Sequence, residues 1–270
     1  MTIETEAVRA AQLVGAALEN NPVILWRNLS GALSSPDGFE SDGALANALD
    51  PITGSYALPS VVSGAAQMTW GTATLNSVAI AAHNLGTLGA TVAIEFSDDG
   101  GSNWTSVASV SPNSDDAVLF RFEEQVHDDW RLSITSISSG QPSIGVLTAG
   151  LELVVERPLY QGYAPPLTPT NITLQANVSE GGNYLGAAVV RRGSSAKATL
   201  DRLSEAFLRS DAWAEFQAHF NDGNPFFWAW GPAKYGDCHY AWRSGGPAVP
   251  SNTGPLDLMS VGLSMQLFEG

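Results

Sequence analysis

Ala79-Ile80-Ala81-Ala82-His83-Asn84-Leu85-Gly86 leads into Thr91-Val92-Ala93-Ile94-Glu95-Phe96 and then into Ser97-Asp98-Asp99-Gly100-Gly101-Ser102-Asn103-Trp104. Val92, Ile94 and Phe96 recur with the two-residue period of a strand that has one face buried. The strand ends in a tight, acidic, glycine-containing turn, over which Trp104 folds back. This is the local grammar of a β-sandwich, and nothing in it is arranged for chemistry. Function is therefore sought first in surfaces and assembly.

The same period extends in both directions. Residues 67–72, 77–82, 91–97, 105–110, 117–123, 130–136 and 144–153 read as strands, separated by Gly, Asn, Asp and Pro. The spacing of roughly ten residues is that of an all-β sandwich. Antiparallel pairing in sequence order is expected to bury Val78, Ile80, Val92, Ile94, Phe96, Leu119 and Leu132. Each burial contributes roughly 1.5–3 kcal/mol, enough for a self-sufficient sandwich.

Upstream, Ala7, Ala11, Val14 and Leu18 give residues 4–19 a weakly apolar helical side, stopped by Asn20-Asn21-Pro22. Val23-Ile24-Leu25-Trp26 reads as a short strand. Residues 30–60 are loop, with one helical turn within Ala44–Pro51. Downstream, prolines 158, 165, 166 and 169 mark a connector that no central strand or helix can cross.

The last hundred residues have an α+β pattern. Asn171–Val178 and Ala187–Arg192 flank the turn Glu180-Gly181-Gly182-Asn183. Leu200, Leu203 and Phe207 form a helical stripe. Ser210 or Asp211 caps a second helix carrying Trp213, Phe216 and Phe220, which Gly223 closes. An aromatic strand, Phe226-Phe227-Trp228-Ala229-Trp230, follows. After it come Tyr240-Ala241-Trp242 and a closing strand within Leu256–Phe268. The expected organisation is an N-terminal segment (1–35) packing on the C-terminal domain, a sandwich (36–156), a connector (157–170) and an α+β domain with two short helices (171–270).

Composition narrows the function classes. Charged residues are 14% of 270, and the net charge is −15. Residues 1–155 hold 4 arginines against 17 carboxylates, or −13; residues 156–270 hold 8 cations against 10 carboxylates, or −2. The acidic half repels phosphate, which disfavours nucleic-acid binding. A surface sparing in charge suits a subunit covered by neighbours. Cys238 is the single cysteine, so no intrachain disulfide is expected. The N-terminus has Glu4 and Glu6 instead of a basic, apolar leader, and no apolar run reaches membrane-spanning length. These features predict a soluble chain made in a cytoplasm.

Ser97-x-Asp99-x-Gly101-x-x-Trp104 resembles the Asp-box turns of sialidase blades and adhesive β-domains: the aspartate accepts backbone hydrogen bonds, the glycine permits the turn and the tryptophan packs on it. One box without an arginine cluster reads as a structural turn. The pairs Asp98-Asp99, Asp115-Asp116 and Asp128-Asp129 offer hard oxygen ligands for Ca²⁺ but lack EF-hand spacing; the default is solvated charge, and no metal site is assigned. His83, His127, His219 and His239 are scattered, and Cys238 with a distant histidine makes only a conceivable nucleophilic pair. No P-loop, dinucleotide fingerprint or Gly-x-Ser-x-Gly elbow is present. No catalytic residue and no cofactor are expected. Phe226, Phe227, Trp228, Trp230, Tyr240 and Trp242 are read as core or subunit interface, ahead of sugar stacking.

Two family resemblances follow from longer motifs. Ala46-x-x-Leu49-Asp50, Val78 to Gly86, Ile94 to Gly100, Trp104 and Trp130-Arg131-Leu132-x-Ile134 resemble the galactose-binding-like (discoidin-type) domains. That resemblance implies a jelly-roll sandwich. The run Ala149-Gly150-Leu151-Glu152-Leu153, then Asn177 to Gly186, Arg191-Arg192-Gly193 and Asn224 to Trp230, is similar to distal-tail-like tail-tip and baseplate proteins of tailed bacteriophages. It implies a non-enzymatic virion component made in the host bacterial cytoplasm. Such a component forms a homo-oligomeric ring with other tail proteins and displays the sandwich as a spacer or adhesive module. The alternative is a carbohydrate-binding protein contacting host surface glycans. A polysaccharide hydrolase, which needs two paired carboxylates, comes third.

Overall fold

The computed structural model describes residues 2–5, 20–28, 33–159, 162–166, 173–191, 193–253 and 257–269. Among these, the strands are β1 (Thr2–Thr5), β2 (Val23–Leu25), β3 (Gly64–Trp70), β4 (Ala73–His83), β5 (Thr91–Ser97), β6 (Thr105–Val110), β7 (Val118–His127), β8 (Asp129–Ile137), β9 (Ile144–Gly150) and β10 (Leu153–Val154). The second half adds β11 (Thr173–Val178), β12 (Tyr184–Arg191), β13 (Ser194–Leu203), β14 (Phe226–Ala229), β15 (His239–Arg243), β16 (Ser251–Asn252) and β17 (Met259–Leu267). A 3-10 turn covers Leu45–Leu49, and the helices are α1 (Glu205–Leu208), α2 (Asp211–Asn221) and α3 (Pro232–Tyr235). The fold is mainly β: an antiparallel sandwich joined to a smaller α+β part.

Two four-stranded sheets, ordered β1-β7-β4-β9 and β3-β8-β5-β6, form the sandwich. Val78, Ile80, Val92, Ile94, Trp130 and Leu132 fill the space between them. A third sheet, ordered β10-β2-β14-β15-β17-β13 with β16 beside β17, forms the body. Its outer side is covered by α2, through Trp213, Phe216 and Phe220. Ser210 Oγ caps that helix by accepting from the Trp213 amide, and Gly223 adopts φ +83° just beyond it.

Strand alternation explains how the layers meet. On β4, Val78 and Ile80 face the sandwich interior, while Ala79 and Ala81 face the body sheet. On β14, Phe226 and Trp228 face α2, while Phe227 and Ala229 face the sandwich. Val23, Leu25, Ala117, Leu119, Val146 and Tyr240 complete this seam. Leu119 therefore turns away from the sandwich interior that its spacing predicts. A buried ion pair also stands here: Arg121 on β7 donates twice to Glu152, in the link between β9 and β10, at 2.9 and 2.8 Å, and Ser77 Oγ on β4 donates to the same carboxylate at 2.6 Å.

The chain path makes the sandwich strands β3 to β9 an insertion in the body. β2 pairs with β14, the chain then builds β3 to β9, and β10 returns to pair antiparallel with β2. Leu153–Val154, expected at the end of the sandwich, thus belongs to the body sheet. Thr2–Thr5 run parallel to β7 as a sandwich strand. Of the helix expected over 4–19, residues 4–5 are strand and the rest lies outside the described residues. Leu200 and Leu203 are also strand: alternate burial of Ala196, Ala198 and Leu200 fixes β13 along β17, and Arg202, at φ +56°, interrupts the register before Leu203. Only Phe207 of that stripe is helical, on α1.

Candidate functional site

The acidic turn after β5 is a closed hydrogen-bond system. Asp99 accepts from the amides of Ser102 and Asn103 and from the Asn103 and Ser97 side chains. These donors, Asn103 foremost, hold its carboxyl down to about pKa 2. Ser97 Oγ accepts from the Gly101 amide, and Trp104 Nε1 donates to the Gly101 carbonyl. The Arg131 guanidinium lies 4.2 Å from the Trp104 ring centroid and donates to Glu95 at 2.6 Å. Ser97, Asp99, Gly101 and Trp104 are thus spent on the turn, with Trp104 capped by Arg131.

The histidine motif is a joint. His83 Nε2 donates to the Asp116 carbonyl at 2.8 Å, and Nδ1 accepts from the Leu85 amide, so the ring is neutral. Burial lowers its pKa. Asn84 ties residues 141 and 143 together, and a Cβ on Gly86 would lie 2.3 Å from the Ser114 backbone.

The acidic pairs divide between separate places. Asp98 meets His127 and the Asp128 amide, while Asp115 binds Thr87 and Asp116 binds Ser114. Among the described residues, no group of three His, Cys, Asp or Glu side chains has metal-binding geometry. Cys238 is buried in the seam, and burial pushes its thiol up, away from the reactive thiolate.

The aromatic candidates require a correction. Phe226, Phe227, Trp228 and Tyr240 are buried within this chain and cannot meet a neighbour. Phe227 and Tyr240 do line an interface, but one between the two halves of a single polypeptide, whereas Phe226 and Trp228 belong to the body core under α2. Trp228 Nε1 donates to Tyr163 Oη, whose pKa burial pushes up to about 12, and Tyr240 Oη donates to the Pro51 carbonyl across the seam. Trp230 and Trp242 are half-buried, and Trp230 donates to Asp237. The alternation of strand 226–229 sends one aromatic set to each side, a pattern equally compatible in sequence with a subunit interface.

Two features remain open to the outside. The first is the β11–β12 hairpin, whose strands pair with each other and, among the described residues, with nothing else. Its register sets Ala176 opposite Ala187 and Val178 opposite Tyr184, so Leu174, Ala176, Val178, Tyr184 and Ala187 share one face. Leu174 is 62% exposed, Val178 58% and Tyr184 70%, with Leu185 at 66% beside them. The hairpin leads into β13, the body's edge strand, which pairs only with β17 among the described residues.

The second is a cavity of about 160 Å³ at the seam. Pro51, Val146 and Thr148 approach from the sandwich; Trp26, His219 and Tyr240 approach from the body. His219 donates from Nε2 to the Pro225 carbonyl at 2.7 Å, and burial lowers its pKa. Sequence spacing could not find this site, because its residues come from β9, α2, β15, the 3-10 turn and three loops. The hairpin did leave a signal: Leu174, Ala176 and Val178 alternate with polar residues in a strand that, among the described residues, has no further partner to cover them.

No protein-family model matches the chain, and no curated protein matches it in sequence. In structure it is similar to a GH29 fucosidase of Ruminococcus gnavus solved with fucose: 10% identity, 46% of this chain, 25% of that one, TM-score 0.39. The chain therefore spans about a quarter of that fucosidase. It is also similar to a CBM32 module of Clostridium perfringens in complex with GalNAc-β-1,3-galactose: 13% identity, 45% of this chain, 95% of the module, TM-score 0.39. The CBM32 of AlyQ, in complex with 4,5-unsaturated mannuronic acid, is 17% identical over 46% of this chain and 97% of the module, with a TM-score of 0.38.

Proposed function

We propose that this chain is a non-catalytic structural subunit of a virion, placed at a phage tail tip or baseplate and assembled from several copies with other tail proteins. The observation that supports it is the hairpin. A lone two-stranded ribbon is marginal in water, and this one presents an apolar face that no described residue covers, beside an edge strand, β13, whose outer side has no partner among the described residues. Residues 173–191 carry a single carboxylate, Glu180, in a chain of net charge −15, so this is a stretch where like-charged copies can approach. Identical subunits joined head to tail through such a contact form a ring where the rotation between them closes. The seam holds the sandwich on the ring as a spacer or adhesive module. Light scattering of the purified chain, together with mass spectrometry of intact particles, tests the reading. A chain that stays monomeric at every concentration and is absent from particles refutes it.

A second reading, recognition of host surface glycans, is favoured by the seam cavity, which has mixed apolar and hydrogen-bonding walls. A glycan array with the full chain tests it, and no signal on any glycan rules it out.

A further inference from the structure

We infer that the seam cavity takes one neutral, hydroxyl-rich ring: a single hexose unit at the end or branch of a glycan. This rests on the glycan reading and is independent of the assembly reading. Size comes first. At about 160 Å³ the cavity is well below the ~300 Å³ at which drug-sized pockets begin, which is room for one ring inside it.

The chemistry of the walls comes second. Val146, Pro51 and Pro225 give apolar surface for the C–H face of a sugar. Thr148, Asn224 and His219, whose side chains carry a hydroxyl, a carboxamide and an imidazole, also line the cavity. The first two both donate and accept. His219 uses its Nε2 proton on Pro225, which leaves Nδ1 as an acceptor. Vicinal hydroxyls, each donor and acceptor at once, match this set.

Charge comes third. Among the described residues lining the cavity none is acidic or basic apart from His219, whose neutral form burial favours. Arg27, which lies against Trp26, is already paired with Glu215. An anion would find no free cation there and would enter the field of a chain of net charge −15. A cation would find no carboxylate.

The position supports the same conclusion. The cavity lies between two halves pinned across it by the Tyr240–Pro51 hydrogen bond, so its walls are set before a ligand arrives.

The test titrates the ¹⁵N-labelled full chain with neutral methyl glycosides of galactose, fucose, mannose and glucose and with N-acetylgalactosamine. At least one is expected to shift the Trp26 indole and Asn224 amide signals. Asn224→Ala, at an exposed position, and Thr148→Val, which keeps side-chain shape, should each weaken that binding about three- to tenfold. Neither should change the thermal midpoint or the state of assembly. The inference is overturned if no probe shifts these signals, if the shifts fall on the sandwich loops near Trp104, or if methyl galacturonide binds as well as its neutral parent. If the glycan array scores positive while the seam stays silent, the glycan reading stands and this site falls. If both are silent, both fall.

Discussion

Replacing Leu174 with Ser and Val178 and Tyr184 with Thr removes the apolar face of the hairpin while keeping strand-compatible residues at 178 and 184. In the isolated chain these side chains are 62%, 58% and 70% in water. Complete burial of a large apolar side chain is worth roughly 1.5–3 kcal/mol, so covering what remains exposed on the three offers about 3–6 kcal/mol per arm. At about 1.4 kcal/mol per factor of ten, the triple variant should self-associate about a hundredfold to ten-thousandfold more weakly. Its midpoint of thermal unfolding should match the parent, because exposed positions typically move stability by only about 0.5 kcal/mol. Sedimentation velocity over a concentration series measures the first quantity, and calorimetry at a concentration where both are monomeric measures the second. Superimposable assembly curves would refute the reasoning. So would a fall of several degrees in the monomer midpoint, since that would mean the hairpin already packs on its own body.

Three further outcomes follow from buried groups. Glu152→Gln breaks a doubly hydrogen-bonded ion pair and leaves Arg121 charged and buried, so urea unfolding should show a loss of about 3–5 kcal/mol. His239 is held neutral by burial, with its pKa pulled down to about 4, while Asp237 and Asp116 oppose the shift. The unfolded chain therefore binds the extra proton first, and stability should fall as pH drops from about 6.5 to about 4, less steeply in His239→Gln; identical slopes would contradict this. Cys238 should stay unlabelled by a thiol reagent at neutral pH until denaturant is added, and rapid labelling of the native chain would contradict the seam.

The sandwich was legible because its strands alternate and its turns carry Gly, Asn and Asp: the expected 91–97 and 105–110 coincide with β5 and β6. The Ser210 cap and Gly223 stop of α2 were readable for the same local reason. What local pattern could not resolve was layering. Val78-Ala79-Ile80-Ala81 is apolar on both faces because β4 lies between two packed layers, and single-strand periodicity cannot say what covers the second face. Leu200 and Leu203 fit a helix by spacing and a strand by their pairing with β17, and tertiary pairing won. The aromatic run at 226–229 was recognised as an interface or core without any signal that both sides of it belong to one chain. Thr148, His219 and Asn224 could not be grouped, because only the closed fold brings β9 beside the end of α2.

The sandwich leaves and rejoins its scaffold on two adjacent strands, with the Arg27 carbonyl so near Gly150 that a methyl group there would come within 2.7 Å. Because Ala79, Ala81, Ala117, Leu119 and Val146 pack on the body sheet and Thr2–Thr5 pair with β7, an outer module joined in this way can change its far sheet and its loops without rethreading the sheet beneath, but not the face it shares with that sheet. The toll is a residue without a side chain at the exit. Variation across such chains should therefore concentrate in the loops and the far sheet of the sandwich and spare the seam residues and the glycine at the threshold.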